Sequence, residues 1–353
     1  MANASPKSPS AGPKPKHNAL PFGLSVNKQV MTTFTIWTNA FLTYLAEELL
    51  VRATRLHRLI IAGKTDHVLD VGTSDPRILE AEVVFGQPDP EAIVRSTKLR
   101  WLHLSSAGYA RYDAPEIRDA LKVRSAIMTN SSSVFDEPCA EHLMAWLLAD
   151  ARQLYLSFEN QKGARGWPQN ELRQSMRLLA NETILIVGYG AIGRRLAELL
   201  TPYRVRVVGY RRTPQPATEI RVIGPAELSS TLAEADHVIN ILPDSPETQR
   251  FFDDKRLQQI KRGARYYSIG RGTTTDQEAL ARTLRSGDIF AAYLDVTDPE
   301  PLPPDHPLWS APNCYITPHT GGGHANESLR IVEHFIDNLQ RLEHAEELVN
   351  RVF

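Results

Sequence analysis

Gly188-Tyr189-Gly190-Ala191-Ile192-Gly193 follow directly on the apolar run 183–187 (TILIV) and open a helical pattern over 191–200. The spelling GxGxxG alone says little, but between a strand and a helix each glycine has a task. Gly188 permits the tight turn, Gly190 lets a pyrophosphate approach the backbone, and Gly193 lets the helix pack on the strand. The N–H groups of the first helical residues, Ala191 and Ile192, then face the phosphates. The pattern predicts a dinucleotide cofactor.

The second strand of this unit ends at Tyr210 and runs into Arg211-Arg212-Thr213. An NAD site carries a carboxylate about 20 residues after the glycines to bind the ribose 2′-hydroxyl. No Asp or Glu occurs between Glu198 and Glu219. Two guanidiniums and a hydroxyl suit a 2′-phosphate, because arginine forms forked, charge-assisted bonds to phosphate. NADP(H) is therefore expected to be preferred, with NAD(H) possible.

Three further polar residues each follow a strand of the same half. Arg271 stands after the strand at 265–269, Glu300 beside prolines after the strand at 290–294, and His319 after the strand at 314–316. In a parallel sheet the C-terminal strand ends line the ligand crevice, so their common placement carries more than any one of them alone.

The elements that must position these residues alternate strand and helix, the pattern of an α/β fold with parallel sheets. In the second half, strands are expected at 183–187, 205–210, 237–242, 265–269, 290–294 and 314–316, most of them continuous apolar runs suited to burial on both faces. In the first half they are expected at 30–37, 68–71, 81–85 and 99–104, with a long amphipathic helix over 39–62. Residues 137–155 read as an apolar helix, 159–177 as a polar connection, and 324–353 as one helix with a short tail. Residues 1–17 hold four prolines and three lysines, so 1–19 read as a disordered tail.

Forty basic against 41 acidic residues leave a formal charge of −1, which argues against a nucleic-acid or membrane partner. The two cysteines, Cys139 and Cys314, exclude a disulfide framework and read as free thiols of a reducing compartment, consistent with a cytoplasmic protein. His103 and His142 lack metal spacing, and His319 and His324 are separated by glycines, so no metal site is expected.

The order and spacing of these segments resemble the D-isomer-specific 2-hydroxyacid dehydrogenase family. The resemblance is densest in GYGAIG (188–193), IGRGTTTDQEAL (269–280), LDVTDPEPLPPDHPLW (294–309) and PNCYITPHTGG (312–322). It implies two Rossmann-like or flavodoxin-like α/β domains with parallel sheets and a cleft between them. Residues 20–148 with 323–353 would form the substrate domain, and 149–322 the dinucleotide domain. It makes Arg271, Glu300 and His319 the catalytic trio. The chemistry agrees: a guanidinium can hold a 2-keto acid and polarise its carbonyl, and an imidazole oriented by a carboxylate can deliver a proton. The family's substrate loop falls on Ser106, Ala107 and Gly108, with the N–H groups of Ala107 and Gly108 on the substrate carboxylate. Further cofactor contacts fall on Leu242, Pro243, Thr248, Ile269, Gly270, Arg271, Asp295, His319, Gly321 and Gly322.

Within the family the chain is most similar to NADPH-dependent glyoxylate and hydroxypyruvate reductases, and the family implies a homodimer. It also implies a connection near Asn130 and a long helix starting near Glu141. Two departures stand out. Gly270 replaces a common Ala or Ser, which could alter the room near the nicotinamide, and the helix over 38–62 is unusually long. A formate dehydrogenase-like enzyme is an alternative, but that line carries a neutral amide where Glu300 stands. The other alternative is a corepressor-like scaffold that binds dinucleotide, which has no need of the trio.

Overall fold

The computed structural model describes residues 33–63, 75–214 and 220–353. The expected tail over 1–19, the start of the first strand and the strand at 68–71 lie outside these residues. Within the compact unit Thr33–Phe353 the strands form two sheets, and every ladder in both is parallel.

The first sheet contains β1 (Thr35–Thr38), β2 (Arg58–Ile61), β3 (Val83–Gly86), β4 (Trp101–Leu104) and β5 (Ile127–Thr129), in the order β2-β1-β3-β4-β5. The second contains β6 (Thr183–Val187), β7 (Arg206–Tyr210), β8 (Arg221–Ile223), β9 (His237–Asn240), β10 (Ala264–Ser268), β11 (Ile289–Leu294) and β12 (Cys314–Ile316), in the order β12-β11-β10-β9-β6-β7-β8. The direction of the strand order reverses between β6 and β9, the place where an open α/β sheet opens a crevice beyond its C-terminal strand ends. The central strands are buried throughout, as their unbroken apolar runs require.

Helix Ser132–Ala151 runs from the end of β5 toward the second sheet. Its Leu143 and Leu147 pack with Leu196 and Leu200 of helix Ala191–Leu200, all four fully buried. Burial of this kind contributes about 1.5–3 kcal/mol per leucine. At the far end of the long helix the buried Asp150 accepts hydrogen bonds from Arg265 Nε (3.1 Å) and Tyr293 Oη (2.8 Å) and pairs with Arg177. Removing Asp150 would leave the largely buried Arg265 without its carboxylate, while Arg177 would keep Glu182.

Several expectations need correction. The helix over 39–62 is instead a ten-residue helix, Tyr44–Ala53, followed by the edge strand β2. Thr54 closes the helix by donating both its N–H and its hydroxyl to Leu50 O. The Leu-Ile-Ile run that follows suits a strand. The crossing helix begins at Ser132, not near Glu141, and ends at Ala151, short of 155, because Gln153 takes a left-handed φ of 54°. The polar connection over 159–177 carries two helices, Leu154–Lys162 and Gln169–Ser175, and strand β8 was not expected. After helix Glu327–Glu343 the last residues do not trail: Val352 N–H donates to Met128 O (2.8 Å) and Met128 N–H to Phe353 O (3.0 Å), covering the edge of β5.

Candidate functional site

The glycine turn joins β6 to helix Ala191–Leu200. Gly188 has φ +94°, and a Cβ there would lie 2.8 Å from Ile241 O, so both conformation and space require glycine. A Cβ on Gly190 would meet nothing nearer than 3.8 Å, which leaves open room above the turn. On Gly193 it would press at 3.1 Å on Ile186 of β6. No side chain caps the helix that starts here, so the N–H groups of its first turn, including those of Ala191 and Ile192, remain available to an anion. The residues fit a pyrophosphate.

Gly188 N–H and Tyr189 N–H both donate to Tyr210 O, at 3.2 and 3.1 Å, which ties the turn to the end of β7. Arg211, Arg212 and Thr213 therefore emerge beside it. Among the described residues neither guanidinium makes an ion pair or donates a hydrogen bond, and the Arg212 charge helps to hold the Glu247 carboxyl below its ordinary value. After β9, Leu242 N–H donates to Asn240 Oδ1 (3.2 Å), and Thr248 Oγ1 closes the loop on Pro243 O (2.6 Å). The buried Asn240 also bonds Tyr266 Oη (3.0 Å) and Thr274 Oγ1 (2.7 Å), bracing the segment that carries Arg271.

Arg271 follows β10. Its Nη1 donates to Gly270 O (2.6 Å), and its Nη2 occupies the place a Cβ of Gly108 would need, 2.1 Å away. The guanidinium thus lies against the loop after β4, in the other half of the chain. A Cβ on Gly270 would fall 2.3 Å from Leu242 O, so the glycine brings two backbones together and opens no extra room. Ile269 packs beneath Gly321, where a Cβ would stand 2.6 Å from Ile269 Cδ1.

His319 Nδ1 and Glu300 Oε2 are 2.8 Å apart, and Glu300 Oε1 accepts from Thr297 N–H at 2.9 Å. Burial pushes the Glu300 carboxyl up, but bonds from His319 and Thr297, with the nearby charges of His319 and Arg271, more than offset it. The carboxyl is therefore held below its ordinary value and is ionised at neutral pH. With Nδ1 engaged, His319 Nε2 is left for a reacting group. Asp295, only 2% exposed, sits under this loop. It accepts from Thr317 Oγ1 (2.6 Å), Thr320 N–H (2.8 Å) and Gly321 N–H (2.8 Å), while its own carbonyl accepts from His319 N–H (2.8 Å). Gly322 packs against Phe135 of the long helix, a Cβ there meeting its ring at 3.0 Å.

The loop after β4 is fastened by its carbonyls. Ser131 N–H donates to Ser106 O (3.0 Å), Asn130 Nδ2 to Ala107 O (2.7 Å) and Ser106 Oγ to Gly108 O (2.7 Å). Gln87 Nε2 holds Ser106 Oγ at 2.9 Å. Among the described residues no acceptor takes the N–H groups of Ala107 and Gly108. Two free N–H groups and a guanidinium make an anion seat, and the charge on Glu300 senses that guanidinium. Gln87, Asn130 and Asn240 escaped sequence reading. Each is a lone amide whose partner is a distant loop, and no local spacing marks such a residue.

Residues 144–321 match the family model described as D-isomer specific 2-hydroxyacid dehydrogenase, NAD binding domain. The chain is 31% identical over 260 residues to glyoxylate/hydroxypyruvate reductase B of Escherichia fergusonii, covering 71% of this chain and 77% of that protein. Its structure is similar to that of the TT0316 protein from Thermus thermophilus, with a TM-score of 0.71 and 31% identity over 90% of this chain and 100% of that one. It is also similar to a D-isomer specific 2-hydroxyacid dehydrogenase from Xanthobacter autotrophicus in complex with NADPH and MES. There the TM-score is 0.76 and the identity 25%, covering 91% of this chain and 98% of that one.

Proposed function

The chain belongs to the D-isomer-specific 2-hydroxyacid dehydrogenase family of NAD(P)-dependent oxidoreductases, and from that premise we propose that it reduces a small 2-keto acid of the glyoxylate or hydroxypyruvate type to the D-2-hydroxy acid with NADPH, and catalyses the reverse oxidation. The observation that carries this reading is the pairing of Glu300 with His319 Nδ1 at 2.8 Å, which leaves Nε2 for the substrate, with Glu300 also feeling the charge of the Arg271 guanidinium seated on Gly108. The bound dinucleotide supplies the hydride. Arg271 and the N–H groups of Ala107 and Gly108 hold the substrate carboxylate. Arg271 also polarises the keto oxygen, so that the negative charge growing there is met by a fixed cation. His319 gives its Nε2 proton to that oxygen, and Glu300 stabilises the imidazolium before transfer and fixes its plane. Asp295 acts through the loop, holding His319 in place. In oxidation His319 takes the proton back.

The pyrophosphate would rest on the turn from Gly188 to Gly193, and Arg211, Arg212 and Thr213 would receive the 2′-phosphate. The named reductase relatives and the NADPH in the Xanthobacter structure support this choice. Substitution of both arginines by alanine is expected to raise the KM for NADPH at least tenfold while leaving that for NADH nearly unchanged, since each charge-assisted bond is worth about 1.5–3 kcal/mol. Equal changes for both cofactors would remove the NADPH assignment.

The proposed substrate domain is 20–148 with 323–353 and the proposed dinucleotide domain 149–322, of which 20–32, 64–74 and 215–219 lie outside the described residues; the strands of the first sheet lie within 35–129 and those of the second within 183–316. A homodimer is supported by helices Leu154–Lys162 and Gln169–Ser175, which bury none of their own residues. Helices this short are marginal alone, and Trp167 between them is 91% exposed. Sedimentation at micromolar concentration should find a dimer that Trp167→Glu weakens; a wild-type monomer would exclude it. The free thiols of Cys139 and Cys314 are in keeping with work in the cytoplasm.

A further inference from the structure

We propose that Asn130 is a positioning residue for the substrate carboxylate, aiming the Gly108 N–H into the anion seat, and that Asn350 near the end of the chain holds Asn130 in register. This rests on the reading of Ala107 and Gly108 as carboxylate donors.

A peptide unit is planar and trans, so its C=O and the N–H that follows point in opposite directions. Fixing one fixes the other. The Ala107 carbonyl shares its plane with Gly108 N–H, and the Ser106 carbonyl shares its plane with Ala107 N–H. Asn130 Nδ2 pins Ala107 O at 2.7 Å, and Ser131 N–H pins Ser106 O at 3.0 Å. Two consecutive residues after β5 therefore aim both N–H groups away from themselves. Of the two anchors only Asn130 uses a side chain. It is 5% exposed, and its Oδ1 is engaged as well, accepting from Ser132 N–H (3.2 Å) and Ser132 Oγ (2.8 Å). The amide thus has one orientation, with Nδ2 toward the loop.

Asn130 is itself held from the other end of the chain. Its N–H donates to Asn350 O at 3.1 Å, and Asn350 Nδ2 donates to Ser133 Oγ at 2.7 Å. Asn350 has φ +58°, a left-handed conformation that asparagine tolerates. The buried Asn338 of helix Glu327–Glu343 grips Val349 in both directions, at 3.1 and 2.7 Å. A line of hydrogen bonds thus runs from that helix through Asn350 and Asn130 to the carboxylate loop.

The loop binds the carboxylate alike before and during reaction, so its loss should appear in KM, not kcat. Glyoxylate kinetics at saturating NADPH, the inhibition constant of oxalate and the dissociation constant of NADPH test this on the full chain. Asn130→Ala is expected to raise the glyoxylate KM and the oxalate constant by several-fold to about tenfold, the range for one lost hydrogen bond, with kcat and NADPH affinity retained. Asn130→Asp, which keeps the size and the Ser132 contacts but cannot donate, should do the same if the alanine variant folds poorly. Asn350→Gly should give a smaller rise in the same two constants. Unchanged constants in Asn130→Asp, while Gly108→Ala raises them, would overturn the proposal and leave the carboxylate seat standing. Unchanged constants in both would overturn the seat as well. A rise matched by lost NADPH affinity and a lowered melting temperature would make Asn130 a fold contact only, and would also overturn it.

Discussion

Replacing His319 is expected to lower the rate of keto-acid reduction by roughly 10²–10⁴, the ordinary contribution of a positioned general acid. The choice of replacement matters. His319 has φ +52°, a left-handed conformation that costs alanine about 1 kcal/mol or more but that asparagine adopts readily. His319→Asn therefore keeps the loop and its anchor on Asp295, yet cannot deliver a proton. His319→Ala adds backbone strain to the same chemical loss. Stopped-flow measurement of the hydride-transfer step, alongside NADPH binding, separates the two effects. A large fall in rate with NADPH binding largely kept is the expected result in His319→Asn. Turnover close to wild type would mean that another group gives the proton.

Arg271→Lys should be almost as damaging, lowering kcat/KM by about 10²–10³, the loss seen when a preorganised donor to a developing oxyanion is removed. Charge is conserved, so the loss measures geometry. Lysine has no planar fork with which to hold a carboxylate and a keto oxygen at once. The bond from Nη1 to Gly270 O, which fixes the present orientation, would also go. The same displacement can be approached from the opposite side. In Gly108→Ala the new methyl would fall 2.1 Å from Arg271 Nη2, so the guanidinium must move although its chemistry is intact. Both variants should raise the keto-acid KM and lower kcat while NADPH still binds. A normal kcat/KM in Arg271→Lys would show that a simple cation suffices and that the fork has no role.

How much of this was legible beforehand depended on where each residue finds its partners. Strand β6 and helix Ala191–Leu200 were read to the residue, because a strand buried on both faces is an unbroken apolar run and the glycine turn marks the junction. Strands β9 to β12 were placed within two residues at either end, the inner strands β9 to β11 for the same reason and β12 although it is a half-buried edge strand. Strand β2 was not read, because its Leu-Ile-Ile run continues the helical spacing of the preceding helix and only pairing with β1 makes it a strand. The tail on β5 was unreadable for the same cause: its partner lies at the opposite end of the sequence. In the site, residues whose own type declares a chemistry stood out, namely Arg271, Glu300, His319 and the glycines. Asn130 bonds a distant backbone carbonyl, Gln87 and Asn240 bond hydroxyls of other segments, and nothing in their immediate surroundings says so. Asp295 illustrates the middle case. Its place after β11 marked it, but its task of gathering Thr317, Thr320 and Gly321 emerges only from the fold.

The most direct measurement follows cofactor oxidation by the purified wild-type protein with glyoxylate, hydroxypyruvate, pyruvate and bulkier 2-keto acids, each offered with NADPH and with NADH. The expected outcome is turnover of the small 2-keto acids, higher kcat/KM with NADPH, and a product of D configuration where the new centre is chiral. Oxidation of neither cofactor by any of these acids, with NADPH demonstrably bound, would contradict it.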